Sequence, residues 1–144
     1  LATLFCVTIF LLFPAEVDMR NQIDWDSMNG LETILFEFIH TSDKPWNAWP
    51  SLHIVHSYCL ARMITHWLNH NYSETKWAKP FMVLLWVEWT LLCISILTTK
   101  QHYMFDLFSG MFVGYFAWRF FQPTLDKIRS SDVDSLLEEI GWSN

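Results

Sequence analysis

The chain has 144 residues, 52% of them hydrophobic and 17% aromatic, with only 17% charged and a formal net charge of −6. An acidic chain without a basic aromatic stripe is a poor nucleic-acid binder. So high an apolar share leans toward a membrane protein rather than a soluble domain. The mean hydropathy of only +0.19 reflects polar stretches at 14–50 and 123–144, which dilute apolar runs elsewhere. Several of the nine tryptophans flank those runs (Trp46, Trp49, Trp77), as an interfacial belt requires.

Residues 1–13 are almost wholly apolar but too few for a span of roughly 20 residues, and no charged segment precedes them as in a signal peptide. They read as the end of a span whose beginning is missing. Pro14 ends the run. Residues 15–50 form an acidic connector holding Glu16, Asp18, Asp24, Asp26, Glu32, Glu37 and Asp43. Within it Leu31, Ile34, Leu35, Phe38 and Ile39 follow helical spacing, and Asn29 with Glu32 three residues later forms a capping-box pattern. This predicts a short amphipathic helix, either lying in the membrane interface or packed on its neighbours.

From His53 to about His70 the pattern predicts a helix with Ser57, Arg62, Thr65 and His66 interspersed, a span facing protein more than lipid. A polar loop, 71–79, follows. Pro80 to about Thr98 is the clearest span, interrupted by Glu88, which is either a structural or a functional intramembrane carboxyl. Tyr103 to Phe121 is the next, with Pro123 expected to end it. Gly110 and Gly114 form a small-residue step suited to close helix packing. Beyond Ser131, the spacing of Val133, Leu136, Leu137 and Ile140 suggests an amphipathic helix. The expected architecture is all-α: a multi-span transmembrane bundle over 1–122, a six-span fold truncated at its N-terminus, followed by a cytoplasmic amphipathic tail over 123–144. Cys6, Cys59 and Cys93 lie in apolar runs without a Cys-x-x-Cys pair and read as small hydrophobes.

Span length has a consequence for chemistry. A helix rises 1.5 Å per residue, so roughly 20 residues cross a hydrocarbon core of about 30 Å. Residues 53–70 go one way and 80–99 return, so His53 and His102 end on the same face. Lys76, Lys79, Arg119, Lys127 and Arg129 cluster at the other end, whereas the connector has only Arg20 and Lys44 among its acids. By the positive-inside rule the histidines face the periplasm, lumen or exterior. Asp106 lies four residues after His102, on the same helical face. A carboxylate holding one imidazole nitrogen leaves the other free to attack, and His53 opposite can protonate a leaving oxygen. Ser51 with the amides opening the helix at His53 would bind an anion, and Lys100 and Arg20 would add positive charge. The ensemble suits phosphoryl transfer through a phosphohistidine, requiring no metal or cofactor. His66 and His70, four apart at the opposite end, suit a metal or haem instead, the alternative being a non-catalytic membrane protein. His40 and His56 lack comparable context.

Pro50-Ser51-Leu52-His53, and Ser95 followed in register by His102 and Asp106, resemble the second and third motifs of the type 2 phosphatidic acid phosphatase superfamily. The resemblance covers roughly 14–115. It implies His102 as nucleophile, Asp106 as its orienting carboxylate and His53 as general acid, acting on a lipid phosphate ester in the membrane. Leu52 and the His102-Tyr103 pair look most like the branch holding inositol phosphorylceramide and sphingomyelin synthases and their bacterial relatives. Hydrolase and transferase share these residues and are not separated by them. Ile96 stands where the third motif has Arg. In the first motif Phe13 occupies the Lys position and Arg20 is followed by Asn21, so Arg20 and Lys100 are the cations left to hold phosphate. A relative that binds lipid phosphate without turning it over fits those departures as well.

Overall fold

The computed structural model describes residues 2–42 and 48–130. Among them the chain is all-α: α1 (Ala2–Leu12), α2 (Gly30–Ser42), α3 (Leu52–Asn71), α4 (Ala78–Thr98) and α5 (Met104–Ser130), with short 3-10 turns at Arg20–Gln22 and Trp25–Ser27. The residues proposed for an amphipathic tail beyond Ser131, and Trp46 and Lys44 of the connector, lie outside the described residues.

Local chemistry sets most boundaries. Asn29 caps α2: its Oδ1 accepts the N–H groups of Leu31 and Glu32, both at 3.1 Å, while Glu32 Oε2 accepts the Asn29 N–H at 3.0 Å. This reciprocal pair satisfies donors that a helix start leaves open. Pro80 falls in the first turn of α4, where its missing N–H would have had no intrahelical partner. Between α3 and α4 a tight turn is closed by the Thr75 N–H on the Tyr72 carbonyl at 3.0 Å. Trp67, Tyr72, Trp77 and Phe81 stack in sequence around it.

Pro123 does not end the last helix, as its sequence position suggested. It lies inside α5, which continues to Ser130. A proline inside a helix costs about 3 kcal/mol through one lost hydrogen bond and a ring clash. The extension is held from outside, because Asp126 Oδ1 reaches His66 Nε2 of α3 at 3.2 Å.

α3 is the central helix, with α5 and α4 on two sides and α1 leaning on α3 and α5. α3 and α4 run antiparallel, bridged by Trp86 Nε1–H to Thr65 Oγ1 at 3.0 Å and Trp89 Nε1–H to Ser57 Oγ at 3.1 Å. α3 and α5 run parallel and approach closely at two glycines. A Cβ on Gly110 would stand 2.9 Å from the Ser51 carbonyl oxygen and 3.0 Å from Ile54 Cβ, and one on Gly114 would meet the Tyr58 ring at 3.1 Å. Small residues at such a step let helix backbones approach. Directly below lies the apolar core of Ile54, Cys93, Ile96 and Leu107, with Trp89, Leu97 and Met111 against it.

Among the described residues α4 is the one helix long and apolar enough to cross a membrane by length and composition. Its 21 residues give a length of about 31 Å. Away from α3 it exposes Phe81, Leu84, Val87, Leu91 and Ile94. Glu88 lies on that outward side.

Replacing Gly110 with Ala should lower stability by about 1–3 kcal/mol, the usual cost of overpacking, because the atom it meets first is backbone. Gly30→Ala, with nothing within 4 Å of the added carbon, should leave the unfolding midpoint unchanged or raise it. Thermal unfolding of both purified variants measures the difference.

Candidate active site

The first turns of α3 and α5 bring the two histidine blocks together. The Ser51 N–H donates to the Asp106 carbonyl at 3.3 Å, joining one helix start to the other. Ser51 is the N-cap of α3, yet its side chain makes no capping bond; its Oγ is buried without a protein partner among the described residues. The opening amides of α3 are therefore not closed by their own cap.

His102 is positioned by the turn after α4. Lys100 adopts a left-handed backbone, φ 56°, the usual way a helix is stopped. Its N–H donates to the Leu97 carbonyl at 3.1 Å, and the next N–H, of Gln101, to the Ile96 carbonyl at 3.1 Å. That pair of bonds is the Schellman pattern, normally built on glycine. A lysine pays a steric penalty there, and its ammonium is used: Nζ donates to the Gln22 carbonyl at 2.7 Å. The turn is thereby tied to the 3-10 segment that Arg20 opens. The Arg20 side chain lies outside what the structure describes.

The imidazoles of His102 and His53 meet edge to face, with ring centroids 5.7 Å apart and His102 Nε2 3.5 Å from His53 Nδ1. On its other side His102 Nδ1 lies 3.5 Å from Asp106 Oδ2, close but too long and off-axis for a full hydrogen bond. His102 and Asp106 are buried, whereas His53 is exposed. One histidine is enclosed between a carboxylate and its neighbour, and the other stands exposed beside it. Trp49 and Phe105, from the segments that open α3 and α5, stack with centroids 5.7 Å apart.

Asp106 has a second task that its spacing from His102 does not disclose. Asp106 Oδ2 accepts the N–H of Tyr103, the residue preceding α5, at 2.9 Å. An acidic residue at the third helical position, reaching back to the residue before the helix, was the signal available. Tyr103, which the sequence offers as a mark of the branch, also has a structural contact: its hydroxyl accepts the Asp18 N–H at 3.2 Å, a second tie between connector and site. Ile96 is buried in the core with Ile54 and Leu107, and its carbonyl takes the Gln101 and His102 N–H groups.

With this geometry in view, the comparisons are specific at the level of family. A model of the PAP2 superfamily matches residues 28–129, which include both histidine blocks. The chain belongs to the PAP2 superfamily. That superfamily includes phosphatases and phosphotransferases, so phosphatase-type activity is the chemistry that membership indicates. No curated protein and no solved structure matches the chain.

At the opposite end of this PAP2 domain, His66 and His70 stack at 5.5 Å between centroids. His66 pairs with Asp126 and its ring meets Trp118, which also carries the Arg62 guanidinium at 5.5 Å. Among the described residues no group of three His, Cys, Asp or Glu side chains is arranged to hold a metal ion. This cluster fastens α5 to α3.

Asp106→Ala should cost about 0.5–2 kcal/mol of stability through the lost helix cap alone, and Asp106→Asn, which keeps an acceptor oxygen, should cost less. Chemical denaturation of the two variants separates this structural share from any effect on activity.

Proposed function

We propose that the protein is a membrane-embedded enzyme that removes or transfers the phosphoryl-bearing group of a lipid phosphate ester through a covalent intermediate on His102. One observation carries the reading: His102 is buried with one ring nitrogen toward Asp106 and the other toward His53. An Nδ1–H directed at Asp106 leaves the Nε2 lone pair free, which is the nucleophilic form. In the first step His102 Nε2 bonds to phosphorus, the ester P–O bond breaks, and the departing alkoxide takes a proton from His53. In the second step His53 takes a proton from water or an alcohol, whose oxygen displaces the imidazole from phosphorus and regenerates both residues. Phosphorus approaching Nε2 to about 3–3.5 Å needs the space where the His53 ring now stands, so His53 turns outward as substrate enters. Its exposed position leaves room for that.

Ser51, the opening amides of α3, Lys100 and Arg20 are the groups proposed to hold the phosphate oxygens. The Ser51 hydroxyl, buried and unpaired at this point, favours its part. The Lys100 ammonium at the Gln22 carbonyl keeps a positive charge at the same end of the bundle. Within the superfamily we assign the chain to the branch resembling inositol phosphorylceramide and sphingomyelin synthases, on Leu52 and the His102-Tyr103 pair. Membrane embedding is supported by the length of α4 and its outward apolar surface. Lys76, Lys79, Arg119 and Lys127 lie toward the end of the bundle away from the histidines, which supports reading that end as cytoplasmic and the site as facing the periplasm, lumen or exterior.

His102→Ala should abolish turnover and, with ³²P-labelled lipid phosphate, the acid-labile adduct; normal turnover by this variant sinks the proposal. In the burst of released leaving group, which reports the first step alone, His53→Ala should slow alkyl ester cleavage by about 10²–10⁴, the span of general acid catalysis, and much less for an aryl phosphate whose leaving group needs no proton. Equal losses of that burst on both substrates would assign His53 another role. Chromatography of the products with and without added lipid alcohols distinguishes transfer from hydrolysis.

A further inference from the structure

α2 is built the wrong way round for a helix that packs on its own protein. Its continuous apolar stripe is Leu31, Ile34, Leu35 and Phe38, at the i, i+3, i+4, i+7 spacing of one face. These four side chains are 67, 65, 51 and 70% exposed. The side that is half covered is Thr33, Phe36, Ile39 and His40, and there His40 meets the Trp25 and Phe36 rings. A helix in contact with water turns its apolar stripe inward. This one turns it outward, although it carries a complete N-terminal cap and so does not lack a reason to form.

Its level along the bundle is also set. Lys100, just past the end of α4, holds the Gln22 carbonyl. Trp25 follows three residues later and carries His40 of α2. α2 therefore sits where the membrane-length helix ends, beside the histidine blocks and not at the end that carries Lys76, Lys79 and Lys127. From this geometry we infer that α2 is a membrane-docking helix, its Leu31–Ile34–Leu35–Phe38 stripe sunk in the interfacial layer of the bilayer at the level of the site.

The partner is a lipid surface of a particular kind. α2 carries Glu32 and Glu37 and no Lys or Arg, unlike interfacial helices that use basic residues to hold anionic lipid. Apolar burial is what attaches it, so docking is independent of anionic lipid and insensitive to salt. The inference rests on the membrane reading given above and adds that the bilayer, rather than a second protein surface, covers this stripe.

The test uses the full chain in lipid nanodiscs, with nitroxide labels on single cysteines at Leu35, Phe38 and Glu37 of α2 and at Val87 of α4, in a background with Cys6, Cys59 and Cys93 replaced by Ala. Collision with oxygen, which concentrates in lipid, is compared with collision with a water-soluble nickel complex. The expected result is oxygen-dominated relaxation at positions 35, 38 and 87, nickel-dominated relaxation at 37, and no change between zwitterionic and anionic discs or on raising salt. Nickel-dominated relaxation at 35 and 38 with oxygen-dominated relaxation at 87 overturns the docking helix and leaves the membrane reading standing. Nickel-dominated relaxation at 87 overturns the membrane reading itself. Protection of 35 and 38 from both reagents, lost when discs are loaded with one chain each, assigns the stripe to a second copy and overturns the inference. If the cysteine-free background does not fold, hydroxyl-radical footprinting of the unmodified protein reads the same distinction: Phe38 should be as protected in nanodiscs as Val87, and oxidation of Phe38 with Val87 protected overturns the proposal.

Discussion

Everything at the site depends on how closely α5 can approach the first turn of α3. The Ser51 carbonyl lies where a side chain at position 110 would be, and the Ser51 N–H bonds to the Asp106 carbonyl. A backbone-to-backbone contact of this kind fixes both the spacing and the rotation of two parallel helices, since neither partner has a rotamer with which to adjust. The distance between His53 and His102 follows from it, because each lies two or four residues from a contacting atom. Packing and chemistry are one constraint here: the apolar core of Ile54, Ile96 and Leu107 is the floor on which the imidazole pair stands.

Two kinds of signal in the sequence carried through to the structure, and both are local or additive. The Asn29–Glu32 cap depends on four consecutive residues, and it forms. Helix rise is additive, so counting residues was enough to bring His53 and His102 to one end. What the sequence did not disclose involves contacts between distant segments. Pro123 reads as a terminator because its cost is local, but the Asp126–His66 pair that holds the helix beyond it spans two helices. Lys100 reads as a free cation, and only the fold supplies the Gln22 carbonyl. The direction of the α2 stripe was undecidable, since periodicity reports that a helix has two faces and not which one its own protein occupies. Asp106 shows a different limit. One carboxylate near a histidine invites a single functional assignment, while the same oxygen also serves the helix start.

The two ends of the bundle use similar residue types for different ends. His66, Trp118, Asp126 and Arg62 form a tight polar-aromatic cluster, as His53, His102 and Asp106 do, but the pairing is inverted. At the far end the carboxylate comes from another helix and fastens α5 to α3. At the histidine site it comes from the first turn of α5, just after the turn that holds His102, and it accepts the N–H of Tyr103. The first arrangement joins two helices, and the second places one imidazole between a carboxylate and a second imidazole. Composition alone does not distinguish the two; connectivity does.

Ile96 bears on how this chain could change over time. The family motif has an arginine at that position, and here an isoleucine is sealed between Ile54, Cys93 and Leu107. A guanidinium at position 96 would have to enter the packed apolar space between Ile54, Cys93 and Leu107, and burying a charge is costly unless it is paired there. Making room for it would need the surrounding side chains to shrink, and each such change leaves a cavity. The packing around position 96 therefore admits a cation there only through several coordinated substitutions.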